Sequence, residues 1–242
     1  ILYGKDGRRM KKIWKMQCRK IFYSVDYVGF LVVGSVLVIL FGWTYVMAGK
    51  GMPEGCSSIE TAVANAFLAM LLLFIGMYNV SIAREYNEKT INYEKIHEVG
   101  TVSMILGRMV IPIVNTTVFC LVILVAVLIE GKLKQLLSIS YLEQIAWKII
   151  ETFVCVFRLN VAAGLVFIGV GNALWASLLT LMIQWGLGNV FAKKLFCADQ
   201  ISVIWGQSAE NNIMLNIFSG FCIEVILLFV IVLIWNQRKE WK

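Results

Sequence analysis

The sequence predicts an all-α integral membrane protein. Six transmembrane helices, cytoplasmic N- and C-termini and a basic amphipathic N-terminal interfacial helix make up the expected architecture. Three observations carry this. Of 242 residues, 60% are hydrophobic and only 15% charged, with a mean hydropathy of +0.79. A soluble domain is about 45–50% apolar and about a quarter charged. The apolar residues also gather in runs of the length that crosses a bilayer, about 20 residues at roughly 1.5 Å each. Lysine and arginine, finally, are distributed unevenly between the connections. No soluble globule of this size buries so much apolar surface. Soluble enzymes and nucleic-acid-binding domains are therefore set aside, despite a formal charge of +7.

Residues 1–26 form the expected interfacial segment. Met10-Lys11-Lys12 reads as a natural beginning, so residues 1–9 are expected to be an upstream extension outside the fold. From Met10 to Val25 the apolar residues Met10, Ile13, Trp14, Cys18, Ile21, Phe22 and Val25 recur at helical spacing, with Lys11, Lys12, Lys15, Arg19 and Lys20 around the rest of the circumference. Such a helix lies flat at a membrane surface; a solvated basic tail is the alternative.

The transmembrane body covers residues 27–237. Its first span is Tyr27 to Met47, closed by Gly49 and Gly51, and its second is Thr61 to Ala83, ended by Arg84-Glu85-Tyr86-Asn87-Glu88-Lys89. Met109 to Ile129 is the third, ended by Glu130, Gly131 and Lys132. The apolar stretch from Ile139 to Gly186 is too long for one crossing and is interrupted by Arg158-Leu159-Asn160. A tight hairpin is expected there, between a fourth span, 139–157, and a fifth, 161–186. The sixth runs over 213–235, and 238–242 form a cytoplasmic tail. With this layout one side holds sixteen of the 22 basic residues, Arg158 among them, and the other holds Lys50, Lys132, Lys134, Lys193 and Lys194. The richer side is the cytoplasmic one.

Polar residues within the spans narrow the search for a site, because they are costly in hydrocarbon and usually face a cavity or another helix. Glu224 is the sharpest case, with two readings: a group lining a translocation pathway, or an interhelical hydrogen-bonding residue. Asn115 and Asn172 are further pathway candidates; with Thr116, Thr117 and Gln184 they can equally bond between helices. Lys148 and Glu151 are three residues apart and can pair locally. Cys56 and Cys197 both fall on the expected outer side, where a disulfide is one alternative and two free thiols the other; spacing alone cannot choose. The segment from Asn189 to Asn212 is amphipathic through Leu195, Phe196, Ile201, Val203, Ile204 and Trp205. It forms either an interfacial loop anchored by Trp205 or short helices dipping back into the membrane. His97 is the only histidine, no Cys/His cluster has metal-ligand spacing, and no metal site is expected.

The connection from Arg84 to Arg108 interleaves Glu85, Glu88, Glu94 and Glu98 with Lys89 and Lys95, around a short apolar stripe of Ile91, Ile96 and Val99. It is either a solvated linker or a short cytoplasmic helix that docks on a partner. Here the chain resembles ABC type-2 transporter permeases. Glu85-Tyr86-Asn87-Glu88-Lys89-Thr90-Ile91, then Ile96, Val99-Gly100 and Leu106-Gly107-Arg108, are similar to the family's loop after the second span. In that loop an acidic-aromatic pair is followed by Gly-Thr, a short helix and a Gly-Lys pair. Lys89 stands in place of the glycine and Arg108 in place of the lysine. Phe157-Arg158-Leu159-Asn160-Val161-Ala162-Ala163-Gly164 resembles the arginine-containing turn that opens the family's fifth span. In size the chain is similar to the small peptide and lantibiotic immunity exporter permeases.

The resemblance implies a permease subunit in a bacterial plasma membrane, exporting a peptide-like, antibiotic or amphipathic substrate and having no enzymatic activity of its own. It implies ATPase coupling through Glu85, Tyr86, Thr90, Ile91, Glu94, Ile96, Val99 and Gly100, and short re-entrant helices at the outer mouth. It also implies a second permease copy or homologous permease, in a homo- or heterodimer, within membrane lipid. The chain contains no G-x-x-x-x-G-K-[ST] sequence and binds no cofactor by this reading; ATP and Mg would sit on cytoplasmic ABC ATPase subunits. The other class of function compatible with the sequence is a membrane-embedded sensor or assembly scaffold.

Overall fold

A computed structural model describes residues 3–23, 25–47, 58–78, 81, 101–133, 135, 138–190, 197–205 and 213–240. Among these the ordered elements are all helices: α1 (Tyr3–Tyr23), α2 (Val25–Met47), α3 (Ser58–Asn65), α4 (Phe67–Tyr78), α5 (Thr101–Arg108), α6 (Val110–Leu133), α7 (Ile139–Val170), α8 (Ala173–Val190), α9 (Cys197–Trp205) and α10 (Ile213–Glu240). Four stretches are long and apolar enough to cross a membrane: Tyr27–Thr44, Ile105–Leu133, Ile139–Val170 and Leu215–Trp235. Their outer faces carry large exposed apolar side chains, among them Val33 and Leu37 on α2, Val125 and Ile129 on α6, and Ile226 and Ile231 on α10. In water such faces would be unstable; in hydrocarbon they are the expected surface.

The expected hairpin at Arg158-Leu159-Asn160 is corrected. Helix α7 runs through these residues without interruption for 32 residues, about 48 Å at the α-helical rise. Polarity alone does not end a helix when the polar groups find partners on neighbouring elements, and these do. The break comes at Gly171-Asn172. Gly171 adopts φ 69°, and its N–H donates to the Phe167 carbonyl at 3.0 Å, the left-handed cap for which glycine is best suited. Asn172 Oδ1 then accepts from the backbone N–H groups of Leu174 (3.0 Å) and Trp175 (3.3 Å), capping α8. At its other end α7 is capped by Ser138, whose hydroxyl accepts from Tyr141 N–H at 3.2 Å.

Two other expected spans differ in detail. The second is a bent pair, in which the stretches Ile59–Asn65 and Ala69–Tyr78 meet at 65°. At the break, the Asn65 side chain donates to the Thr61 carbonyl at 2.8 Å, a local bond of the kind that competes with helix propagation. The third is entered through a turn at Met109 between α5 and α6. Pro112 has no N–H for the Arg108 carbonyl and crowds it, so the helix restarts at this point. It then continues past Glu130 to Leu133.

Helix α7 is the axis of the bundle, packing against α6, α8, α9, α10 and α4. From Leu159 to Gly169 every residue is buried. Close helix approaches at Gly42 and Gly220 depend on glycine. A Cβ at Gly42 on α2 would stand 2.7 Å from the Ala62 carbonyl carbon of α3, and one at Gly220 on α10 would stand 2.9 Å from Arg158 Cζ.

Candidate functional site: a buried polar core on one helix

Helix α7 carries polar side chains in two stripes. Lys148, Thr152, Cys155 and Arg158 follow helical spacing along one face; Asn160 heads a second face with Gly164 and Phe167.

The first stripe meets α8, α9 and α10. Arg158 Nε donates to Glu224 Oε2 in an ion pair whose two side chains are each 2% exposed. Gln184 Nε2 donates to the other carboxylate oxygen of Glu224. Arg158 Nη1 donates to Gln200 Oε1 at 3.2 Å, and Gln200 Nε2 reaches the Asn216 carbonyl at 3.3 Å. The Cys155 thiol donates to Gln200 Oε1 at 3.6 Å. Stacked Phe153, Phe157 and Phe221 rings, with neighbouring centroids 6.1 and 6.0 Å apart, form an aromatic column between α7 and α10. One cation, one anion and two amides from four helices thus bond to one another in a volume with little access to water, and Gln184 Oε1 is left buried without a partner among the described residues. In such an environment the pair is strongly coupled, and either charge alone is costly.

Farther toward the N-terminal end of α7, Lys148 Nζ lies 2.7 Å from Glu60 Oε1 of α3 and 5.6 Å from the Trp205 ring centroid. Trp205 is fully buried and donates its indole N–H to Thr152 Oγ1 at 2.7 Å. Glu130 Oε2 accepts from Ile59 N–H at 2.9 Å, placing an anion at the N-terminal end of α3. Short helices α3 and α9 are therefore tied to α6 and α7 by polar contacts.

The second stripe meets α2, α4 and α6. Tyr27 Oη donates to Asn115 Oδ1, and Asn115 Nδ2 lies 3.4 Å from Asn160 Oδ1. Asn160 Nδ2 donates to Thr116 Oγ1 at 3.0 Å, and Tyr78 Oη donates to the Asn160 carbonyl at 2.6 Å. The absence of a side chain on Gly164 lets Tyr78 approach; a Cβ there would stand 3.1 Å from the phenol oxygen.

Of the expected pathway residues, the structure thus brings Glu224 and Asn115 into different networks joined through α7, and makes Asn172 the exposed cap of α8. Lys148 pairs across helices with Glu60, and its charge also acts on the local Glu151. The segment ending in Trp205 is helical and packed on α3 and α7, so the tryptophan is an interior residue instead of an interfacial anchor. Arg158 was expected in a turn and is the most buried cation of this core. Its signal was the spacing Lys148, Thr152, Cys155, Arg158, which is periodic along one face. Glu85, Tyr86, Thr90, Ile91, Glu94, Ile96, Val99, Gly100, His97 and Cys56 lie outside the described residues; Cys197 is in α9, and its side chain is likewise outside them. Among the described residues, no three His, Cys, Asp or Glu side chains gather where they could hold a metal ion.

No protein-family model matches this chain, and no curated protein or solved structure does either.

Proposed function

We propose that this chain is the permease subunit of an ABC-type exporter that moves a peptide-like, antibiotic or amphipathic substrate outward, using ATP hydrolysed by a separate subunit. The observation that carries the reading is the Arg158–Glu224 pair, shared among α7, α8, α9 and α10 in a largely apolar bundle. Ionisable groups inside a membrane are expensive, and they typically mark pathways or the helices that move around them. Six crossings follow when α2, the bent α3–α4 pair, α6, α7, α8 and α10 each cross once. Both termini then lie on one side, which the density of Lys and Arg before α2 identifies as cytoplasmic.

On this topology the Glu85–Gly100 segment joins α4 to α5 on the cytoplasmic side, where an ATPase would grip it. The short helices α3 and α9 fall at the opposite end, as covers for the outer mouth. Moving α7 to Gly171 takes Arg158 out of the cytoplasmic tally and into the bundle, and the remaining fifteen basic residues keep the same orientation. A sensor or assembly scaffold is the second reading, in which the same cluster only holds the four helices together.

Co-expression with a phosphate-loop ATPase encoded beside the gene separates the two. The transporter reading expects co-purification, lipid-dependent ATP hydrolysis stimulated by substrate, and loss of ATPase binding in Glu85→Ala and Thr90→Ala variants that still insert. Co-purification at wild-type levels with both variants would overturn the coupling assignment.

A further inference from the structure

We infer that the outward face of α1 is a binding surface for anionic phospholipid headgroups of the leaflet in which the helix sits. Residues 10–25 contain five cations, Lys11, Lys12, Lys15, Arg19 and Lys20, and no acidic residue. An isolated amphipathic helix would turn its apolar stripe into lipid, but here that stripe is already occupied. Ile13, Gln17 and Ile21 are buried, and α1 packs chiefly on α5, with further contacts to α6 and α2.

The attachment to α5 is close. A Cβ at Gly107 would stand 3.2 Å from Ile13 Cβ, and the Trp14 indole N–H donates to the Leu106 carbonyl at 3.1 Å. At about 100° per residue, Lys11, Lys12, Lys15 and Arg19 lie on the side of the helix opposite Ile13, Gln17 and Ile21. All five cations are exposed, with Trp14 and Met16 partly exposed beside them. The bundle thus fixes the helix so that Lys11, Lys12, Lys15 and Arg19 face away from the protein.

Position selects the partner. Only Ser24 separates α1 from α2, whose membrane-crossing stretch begins at Tyr27 and whose exposed apolar surface begins at Val28. The cationic face is therefore held beside the end of a span, at headgroup depth. Phosphate anions are concentrated there, and exposed Trp and Met side chains find an amphipathic environment. Lipid binding at this face requires no ATPase, so it stands independently of the transport reading.

The test uses the full chain in mixed micelles, with displacement of a fluorescent phosphatidylglycerol by unlabelled phosphatidylglycerol or phosphatidylcholine of the same acyl composition. Wild-type protein should prefer phosphatidylglycerol at 50 mM salt and lose most of that preference at 0.5 M, where screening shortens the reach of each charge. A Lys11→Gln, Lys15→Gln double variant should lose about 25-fold in preference, roughly fivefold per removed charge. A variant with the three lysines of the face, Lys11, Lys12 and Lys15, changed to Arg should match wild type, and it guards against a general loss of folding. Equal binding of the two lipids by wild type, or an undiminished preference in the Gln variant, would overturn the assignment. So would tight binding of soluble poly-glutamate without any phosphatidylglycerol preference, which would assign the face to an acidic protein partner.

Discussion

Removing one member of the Arg158–Glu224 pair is the sharpest perturbation available. Each side chain is 2% exposed, so Glu224→Leu leaves Arg158 charged in an interior with little water to solvate it. Gln200 continues to receive Nη1, but its amide dipole cannot replace a carboxylate, and Gln184 Nε2 loses its acceptor as well. Breaking a buried pair by removing one partner costs about 3–5 kcal/mol, whereas replacing both with apolar residues of similar volume is often neutral or better. The expected outcome is a loss of about 3–5 kcal/mol for Glu224→Leu and for Arg158→Met alone. In Arg158→Met, Glu224→Leu most of that loss should be recovered, giving a coupling of about 4 kcal/mol or more.

The assay is reversible unfolding of the full chain in mixed micelles by titration with a denaturing detergent, followed by tryptophan fluorescence. Two results would refute the reasoning: single variants within about 1 kcal/mol of wild type, or a double variant whose loss is the sum of the singles. Either would mean that Glu224 is solvated in the native protein, as a group lining an open pathway would be. On the sequence alone both readings of Glu224 are open; the ion pair makes stability the first property its replacement should change.

Two further predictions rest on backbone geometry. Gly42→Ala should separate α2 from α3, because the added methyl meets the Ala62 carbonyl carbon at 2.7 Å and backbone cannot rotate aside; a loss of about 1–3 kcal/mol is expected in the same titration, and an unchanged midpoint would exclude so close an approach. Gly171→Ala should cost about 1–2 kcal/mol through its left-handed φ of 69°, with Asn172→Gly as the comparison that removes the α8 cap and leaves the α7 cap intact. If Gly171→Ala is neutral, the chain does not reverse there.

Much of the fold was legible because lipid-crossing helices announce themselves by length and apolarity. Charge by itself does not break a helix. Arg158 and Asn160 interrupt an apolar run, yet both are good enough helix residues when their side chains bond to other elements, and neither has the backbone character of Gly or Pro. Gly171-Asn172 does have it, thirteen residues beyond Arg158, but lies among apolar neighbours that mask it. The break at Asn65 was illegible for a related reason: a single side-chain bond to Thr61 leaves no mark on hydropathy. The polar core was half-visible. Glu224 and Asn115 stood out by type, whereas their partners Arg158 and Tyr27 become meaningful only once residues 66 and 88 positions apart are brought together.

The distribution of charge inside the bundle bears on why such residues are present. Lys148 with Glu60 and Arg158 with Glu224 match cation to anion one for one, and each pair joins α7 to an element distant in sequence. Between Leu-, Ile- and Val-rich helices in lipid there is no hydrophobic driving force to prefer one rotation over another, since the tails are as apolar as the side chains. Shape can choose among registers, as Gly42 and Gly164 do here, but many rotations of an apolar helix pack nearly as well. A charge pair does not tolerate them: turning α7 by one residue, about 100°, carries Arg158 away from Glu224 and leaves both in hydrocarbon. The pairs are thus weak arguments for stability and stronger ones for uniqueness. The double replacement distinguishes these roles, because a protein that keeps its unfolding midpoint but exposes the buried Cys155 thiol to a labelling reagent has kept its core and lost its register.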